Sequence, residues 1–133
     1  MIIEKLQGRD ILKSGEKRIA FAVNTEGIND SGFAGMILRK YWPELAYIGK
    51  CELGTVLTKD SDDITFYALV CHSLRNGWQN QTEVIKKCFD SINTLGSIAS
   101  ISIGTGEVGI LSGANFDEIK KGMELSEKKI ILY

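Results

Sequence analysis

Two stretches of this chain carry glycines at spacings suited to phosphate binding. The first is Asn24-Thr25-Glu26-Gly27-Ile28-Asn29-Asp30-Ser31-Gly32-Phe33-Ala34-Gly35-Met36-Ile37, and the second is Ile103-Gly104-Thr105-Gly106-Glu107-Val108-Gly109-Ile110. Glycine lets the backbone approach a ligand closely and adopt positive φ. Such loops present N–H groups to phosphate oxygens, often with a helix N-terminus behind them. Two of them in one short chain imply a ligand with two phosphates, or a phosphate and a sugar, held between the loops.

Other residues near the loops have side chains that could do chemistry. Asn24 ends an apolar run, where its amide would either meet a ligand or cap the next turn. His72 titrates near neutrality and is a candidate acid or base, or a structural histidine at a strand end. Cys71 would be a nucleophile only beside a base, and its apolar neighbours favour a core thiol. Glu107 could orient a water or face solvent. Trp78 and Phe116 could stack on a base or pack in the core. Asp10 lies in a polar connection, where aspartate is a common turn residue.

Alternating strands and helices must position these groups. Residues 1–6 read as a first strand. Residues 18–23, Arg-Ile-Ala-Phe-Ala-Val, are almost continuously apolar, as in a strand buried on both faces. Residues 33–42 have helical spacing and stop at Pro43. Residues 53–58 and 64–71 read as a hairpin around the polar turn 59–63. Residues 81–95 form an apolar helical stripe through Val84, Ile85, Cys88, Phe89 and Ile92, with Gly96 as its stop. Residues 98–103 are a strand feeding the second glycine loop. Asn115 caps a helix running to about Leu125, with Glu118 three residues on. Residues 129–132 are a last strand. The pattern predicts an α/β protein, a three-layer α/β/α sandwich with a mixed central sheet.

The chain of 133 residues is long enough to bury a core as one domain, residues 1–133. Its formal net charge is −1 with mixed signs, which gives no basic footprint for direct nucleic-acid binding. Three separated cysteines form no C-x-x-C pair and suggest a reducing, cytoplasmic setting. With one histidine a zinc site is poorly supported, so neither metal nor cofactor is expected. The first residues are too polar for a signal peptide, and no apolar run is long enough for a membrane span.

The loops resemble those of macro domains, the ADP-ribose-binding modules. Gly32-Phe33-Ala34-Gly35-Met36-Ile37 follows the family's G-V-D-G-A-I at both glycines and the last isoleucine. Asn24 falls where the second asparagine of N-A-A-N belongs. The second loop follows I-S-T-G-I-Y-G-F-P with Thr105, Gly106 and Gly109 in register. Gly8-Arg9-Asp10-Ile11 resembles the family's G-D-I with one inserted residue, and Val70-Cys71-His72-Ser73 resembles V-I-H-T. The compact length looks most like the branch containing ADP-ribose glycohydrolases.

The resemblance implies ADP-ribose, or an ADP-ribosylated macromolecule, as the partner of a monomeric domain. Asp10 would accept from the adenine amino group and Ile11 would line that pocket. Asn24 would bond the distal ribose. Backbone N–H groups around Gly32, Phe33, Ala34 and Gly35 would hold one phosphate, and those of Gly104, Thr105, Gly106, Glu107 and Val108 the other. Any hydrolysis would occur at the distal ribose, removing ADP-ribose from a macromolecule or a phosphate or acyl group from that ribose, with Asn24, His72 and Glu107 as catalytic candidates. The chain departs from the family at the acidic position of G-V-D-G, which is Ala34, and it has no lysine near Val70-Cys71-His72. Binding therefore carries over further than any one hydrolytic mechanism. The alternatives are a sequestering binder of a free or cyclic ADP-ribose-type signalling nucleotide, and an unrelated α/β nucleotide binder.

Overall fold

A computed structural model describes residues 1–6 and 8–133. Its strands are β1 (Ile2–Lys5), β2 (Arg18–Asn24), β3 (Val56–Ser61), β4 (Ile64–His72), β5 (Ile98–Ser100) and β6 (Ile130–Leu132). Its helices are α1 (Gly32–Lys40), α2 (Gln81–Ser91), α3 (Glu107–Leu111) and α4 (Phe116–Leu125). Short 3-10 turns cover Ile11–Lys13 and Pro43–Tyr47.

The strands form one six-stranded sheet in the order β1-β6-β5-β2-β4-β3. Every pairing is parallel except β3 against β4, so the sheet is mixed. Successive strand side chains point to opposite faces. In β2 and β4 both faces are apolar, and each meets its own helical layer. Ala20, Leu69 and Cys71 pack against Ile85, Cys88 and Phe89 of α2 and Ile119 and Met123 of α4. On the other face Ile19, Phe21, Val23, Phe66 and Val70 pack against Ile37 of α1, Trp42 and Leu45. The result is the expected three-layer α/β/α sandwich.

Several boundaries differ from the sequence pattern. The hairpin turn is only Asp62-Asp63, because Ser61 already pairs with Ile64. Asp62 takes the left-handed conformation there (φ 54°), which aspartate tolerates better than most residues. Lys59, Asp60 and Ser61 are thus strand residues, and 53–55 form the turn before β3. Helix α2 ends at Ser91, not near Gly96, since Ile92 turns extended and buries its side chain in the core. Gly96 is instead a gap for the Arg18 guanidinium, which would overlap any Cβ there, and Arg18 Nε donates to the Ser97 carbonyl at 2.9 Å. Strand β5 stops at Ser100, because the chain tightens into a turn in which the Thr105 hydroxyl donates to the Ser102 carbonyl (2.6 Å). Pro43 opens a 3-10 turn, and α1 has already ended at Lys40. Among the described residues no helix is long and apolar enough to cross a membrane.

Candidate functional site

A cavity of about 590 Å³ opens at the carboxyl ends of β2, β4 and β5. Ligands in α/β sheets gather at such strand ends. Its floor is Ala22 of β2 with Ile101 and Ser102 just past β5. One wall is the loop after β2 and the start of α1. The facing wall is the loop after β5 and the start of α3. The third side is His72, Leu74 and Trp78, at and beyond the end of β4.

Two asparagines fold the first loop. The Asn24 amide donates to the Ile28 carbonyl (2.6 Å) and accepts from the Ile28 N–H (3.1 Å). Asn29 is buried and accepts from the Asn24 N–H (3.1 Å). Asn24 therefore lines the cavity while shaping the loop with its own side chain. The loop then enters α1 at Ser31, which is extended and caps nothing with its hydroxyl. The N–H groups of Gly32, Phe33 and Ala34 have no partner among the described residues. This is the ordinary deficit of a helix N-terminus, where the helix dipole also favours an anion. Gly35, also expected at a phosphate, does not line the cavity, and a Cβ there would sit 2.6 Å from the Asp30 carbonyl.

The second loop is closed by a contact between glycines. A Cβ on Gly109 would lie 2.7 Å from the Gly104 oxygen, and Gly104 itself is left-handed (φ 79°). The loop runs straight into α3, a short helix that the sequence pattern did not signal. Gly104, Thr105, Gly106, Glu107 and Val108 all line the cavity, with Gly109 added by the structure. Gly106 has open space where a side chain would project. Among the described residues lining the cavity there is no lysine or arginine, and Glu107 is the one acid. Backbone dipoles thus supply the positive field.

The third side has features that sequence reasoning missed. The rings of His72 and Trp78 stack at 4.5 Å with a 6° interplanar angle. The Trp78 indole N–H donates to the Ser112 hydroxyl (2.9 Å), which donates to the Gly109 carbonyl (3.0 Å). The stack is thereby fixed to the second loop. Burial pushes the His72 imidazole below its ordinary pKa, against the opposing pull of the Glu26 carboxylate. Glu26 ties the first loop to the turn after β4. Its carboxylate accepts from the Ser73 hydroxyl (2.7 Å), the Leu74 N–H (2.8 Å), the Arg75 N–H (3.4 Å) and the Thr25 hydroxyl (3.0 Å). Desolvation works to raise its pKa, but these hydrogen bonds together hold it down to about 2. Cys71 is buried and its thiol pKa is raised by desolvation, which fits a core residue.

The remaining predicted residues lie elsewhere. Asp10 is exposed and accepts from the Leu12 N–H (3.0 Å), capping its own 3-10 turn. Ile11 is buried in the core on the α1 face. Neither lines the cavity. Phe116 packs against the α2/α4 side of the core.

No protein-family model matches the sequence, and no curated protein matches it. Solved structures do. The macrodomain of Mycobacterium tuberculosis DarG superposes with a TM-score of 0.73 at 16% identity, over 100% of this chain and 97% of that one. A macrodomain protein from Streptomyces coelicolor gives 0.70 at 13% identity, over 100% and 98%. An Oceanobacillus iheyensis macrodomain mutant solved with ADPR gives 0.65 at 17% identity, over 93% and 80%. The chain has the macrodomain fold.

Proposed function

We propose that this chain binds ADP-ribose, free or attached to a macromolecule, in the cavity between its two glycine loops. One observation carries the reading. The unpartnered N–H groups at the start of α1, on Gly32, Phe33 and Ala34, and the glycine loop Gly104–Val108 belong to the two walls of a single cavity that no cationic side chain lines among the described residues. Gly32, Phe33 and Ala34 would hold one phosphate, and Gly104 to Val108 the other. The outer ribose would then lie beside Asn24 and His72. The likeness to a macrodomain solved with ADPR supports the same ligand. We take the domain to act as a monomer in the cytoplasm, consistent with its free cysteines.

A second reading is hydrolysis at the outer ribose. It is favoured by the presence of His72 and Glu107 on the same cavity. An imidazole kept neutral can accept a proton from water, which would attack the anomeric carbon as the attached group leaves. Asn24 would act by holding the loop in place. The first loop, however, has Ala34 where the family carries an acid. The expected behaviour is binding with weak turnover or none.

Isothermal titration against ADP-ribose, AMP, NAD and cyclic ADP-ribose tests the binding reading. A micromolar dissociation constant for ADP-ribose, about −8 kcal/mol, is expected. Equal affinity for AMP and ADP-ribose would point instead to a general nucleotide binder. A panel of ADP-ribosylated protein, ADP-ribosylated DNA and O-acetylated ADP-ribose tests catalysis. Robust turnover surviving Asn24→Ala, Glu107→Ala and His72→Ala individually would place the reacting centre elsewhere.

A further inference from the structure

The two glycine loops leave neighbouring strands that have already parted. Strand β2 pairs with β5 only at Ile19–Ala99 and Ala20–Ser100, but it stays paired with β4 as far as Asn24 and His72. Ala22, Ile101 and Ser102 floor the cavity in the gap that follows. Among the described residues no hydrogen bond runs directly from residues 24–35 to residues 103–110. The sheet by itself therefore leaves the distance between the loops open. A third segment touches both. Ser73 and Gly77 exchange backbone hydrogen bonds at 2.9 and 2.8 Å, and the Ser73 hydroxyl accepts from the Arg75 and Asn76 N–H groups (3.1 and 3.0 Å). This closed turn meets the first loop through Glu26, which accepts from the Ser73 hydroxyl (2.7 Å) and the Leu74 N–H (2.8 Å). It meets the second loop through the Trp78 indole, which donates to Ser112, whose hydroxyl donates to the Gly109 carbonyl. Gly77 lies so close to the end of α3 that a Cβ there would stand 2.9 Å from the Ser112 carbonyl oxygen.

We propose that the turn 73–78 is a brace that sets the distance between the two glycine loops, with Glu26 and the Trp78–Ser112 pair as its positioning residues. The inference rests on the ADP-ribose reading above and adds what fixes the span between its two phosphates. A ligand with two phosphates must engage both walls at once, and walls held at the right distance in advance lower the ordering cost of binding. Neither Glu26 nor Ser112 lines the cavity, so each acts through the loop it holds. The links run in series, from the first loop through Glu26 to the turn, and from the turn through Trp78 and Ser112 to the second loop. Cutting either one frees the span, and cutting the other then adds little.

Calorimetric titration of Glu26→Ala, Ser112→Ala and the double variant with ADP-ribose tests the series. Each single change should weaken binding about two- to tenfold, the scale of the hydrogen bonds removed. The double variant should bind about as the weaker single variant does. Trp78→Phe keeps a ring but loses the indole N–H, and it should weaken binding as Ser112→Ala does. Should Glu26→Ala fail to fold, Ser73→Ala removes the shortest of its hydrogen bonds and takes its place in the cycle. Amide hydrogen exchange without ligand tests the brace apart from the binding reading. Ser112→Ala, on the second-loop side, should speed exchange at Ile28 and Leu74 on the first-loop side at least about threefold and leave Val70 within β4 unchanged. Unaltered exchange at Ile28 and Leu74, unchanged affinity, or losses that multiply in the double variant would overturn the brace and leave the binding reading standing. Faster exchange in a protein that does not bind ADP-ribose would overturn the binding reading and leave the brace.

Discussion

Glu26 shows how one side chain can set the shape of a site that it does not line. Its carboxylate gathers donors from Thr25, Ser73, Leu74 and Arg75 and so holds the first loop against the turn that carries Leu74. Its native pKa of about 2 lies below the ordinary 4.5. A depressed carboxylate stabilises the fold above its unfolded pKa, and that contribution is lost as pH falls through the native value. Wild type should therefore be more stable than Glu26→Gln at pH 6. The gap should narrow between about pH 4.5 and pH 2, as read by urea denaturation at a series of pH values. A gap independent of pH would show that the charge is not what matters. Gly106 makes the complementary case. It has ordinary φ and open space around its Cβ position, so Gly106→Val should fold with little change in melting temperature. Its affinity for ADP-ribose should fall at least about tenfold, because the valine would occupy the space a phosphate needs. Undiminished affinity would remove the second loop from the site.

At the scale of elements, the site depends on how helices begin. Helix α4 is capped by Asn115, whose side chain accepts from the Asp117 and Glu118 N–H groups at 3.0 and 3.3 Å. The expected reciprocal bond from Glu118 is replaced by Gln81, which accepts from the Asn115 N–H (2.7 Å) and donates to the Gly113 carbonyl (3.1 Å). Helix α2 thus anchors the segment that follows α3. Asn115→Ala should cost about 1 kcal/mol of stability by chemical denaturation. Helix α1 differs, since its N-terminus has no side-chain cap and is open to the cavity. Gly35 sets its approach to the loop. Gly35→Ala would press a methyl group onto the Asp30 carbonyl at 2.6 Å, so it should lower both stability and ADP-ribose affinity. An unchanged melting temperature would show that the loop yields freely.

At the scale of the whole molecule, the sheet separates two hydrophobic clusters, one under each helical layer, and ligand binding should stabilise the fold that holds them. Saturation at about one hundred times the dissociation constant should stabilise the native state by about 2.7 kcal/mol. That corresponds to a rise of several degrees in melting temperature, measurable by differential scanning calorimetry. Phe21 lies at the centre of the α1-side core, fully buried against Phe33, Trp42 and Phe66. Phe21→Ala should cost about 3–5 kcal/mol and leave the chain marginally folded. Loss of the α1-side core should take the first-loop site with it.

Local pattern alone determined a good part of this protein. The apolar runs of β2 and β4, the stripe of α2, the Asn115 cap and the two glycine loops were all legible. Each depends on residues within a few positions of one another, where periodicity and φ preference act. These features were enough to predict the sandwich and two loops that prove to face one cavity. What the pattern could not supply was distance along the chain. Glu26 meets Ser73 across 47 positions and Trp78 meets Ser112 across 34, and neither pair leaves a local trace. The stop of α2 at Ser91 and the gap at Gly96 follow from where Ile92 is buried and where Arg18 reaches the Ser97 carbonyl. The place of Ile11 outside the cavity is likewise set by packing in the core on the α1 face. Tertiary structure decided these points because burial and hydrogen-bond satisfaction are settled between elements, after each element has taken its own local form.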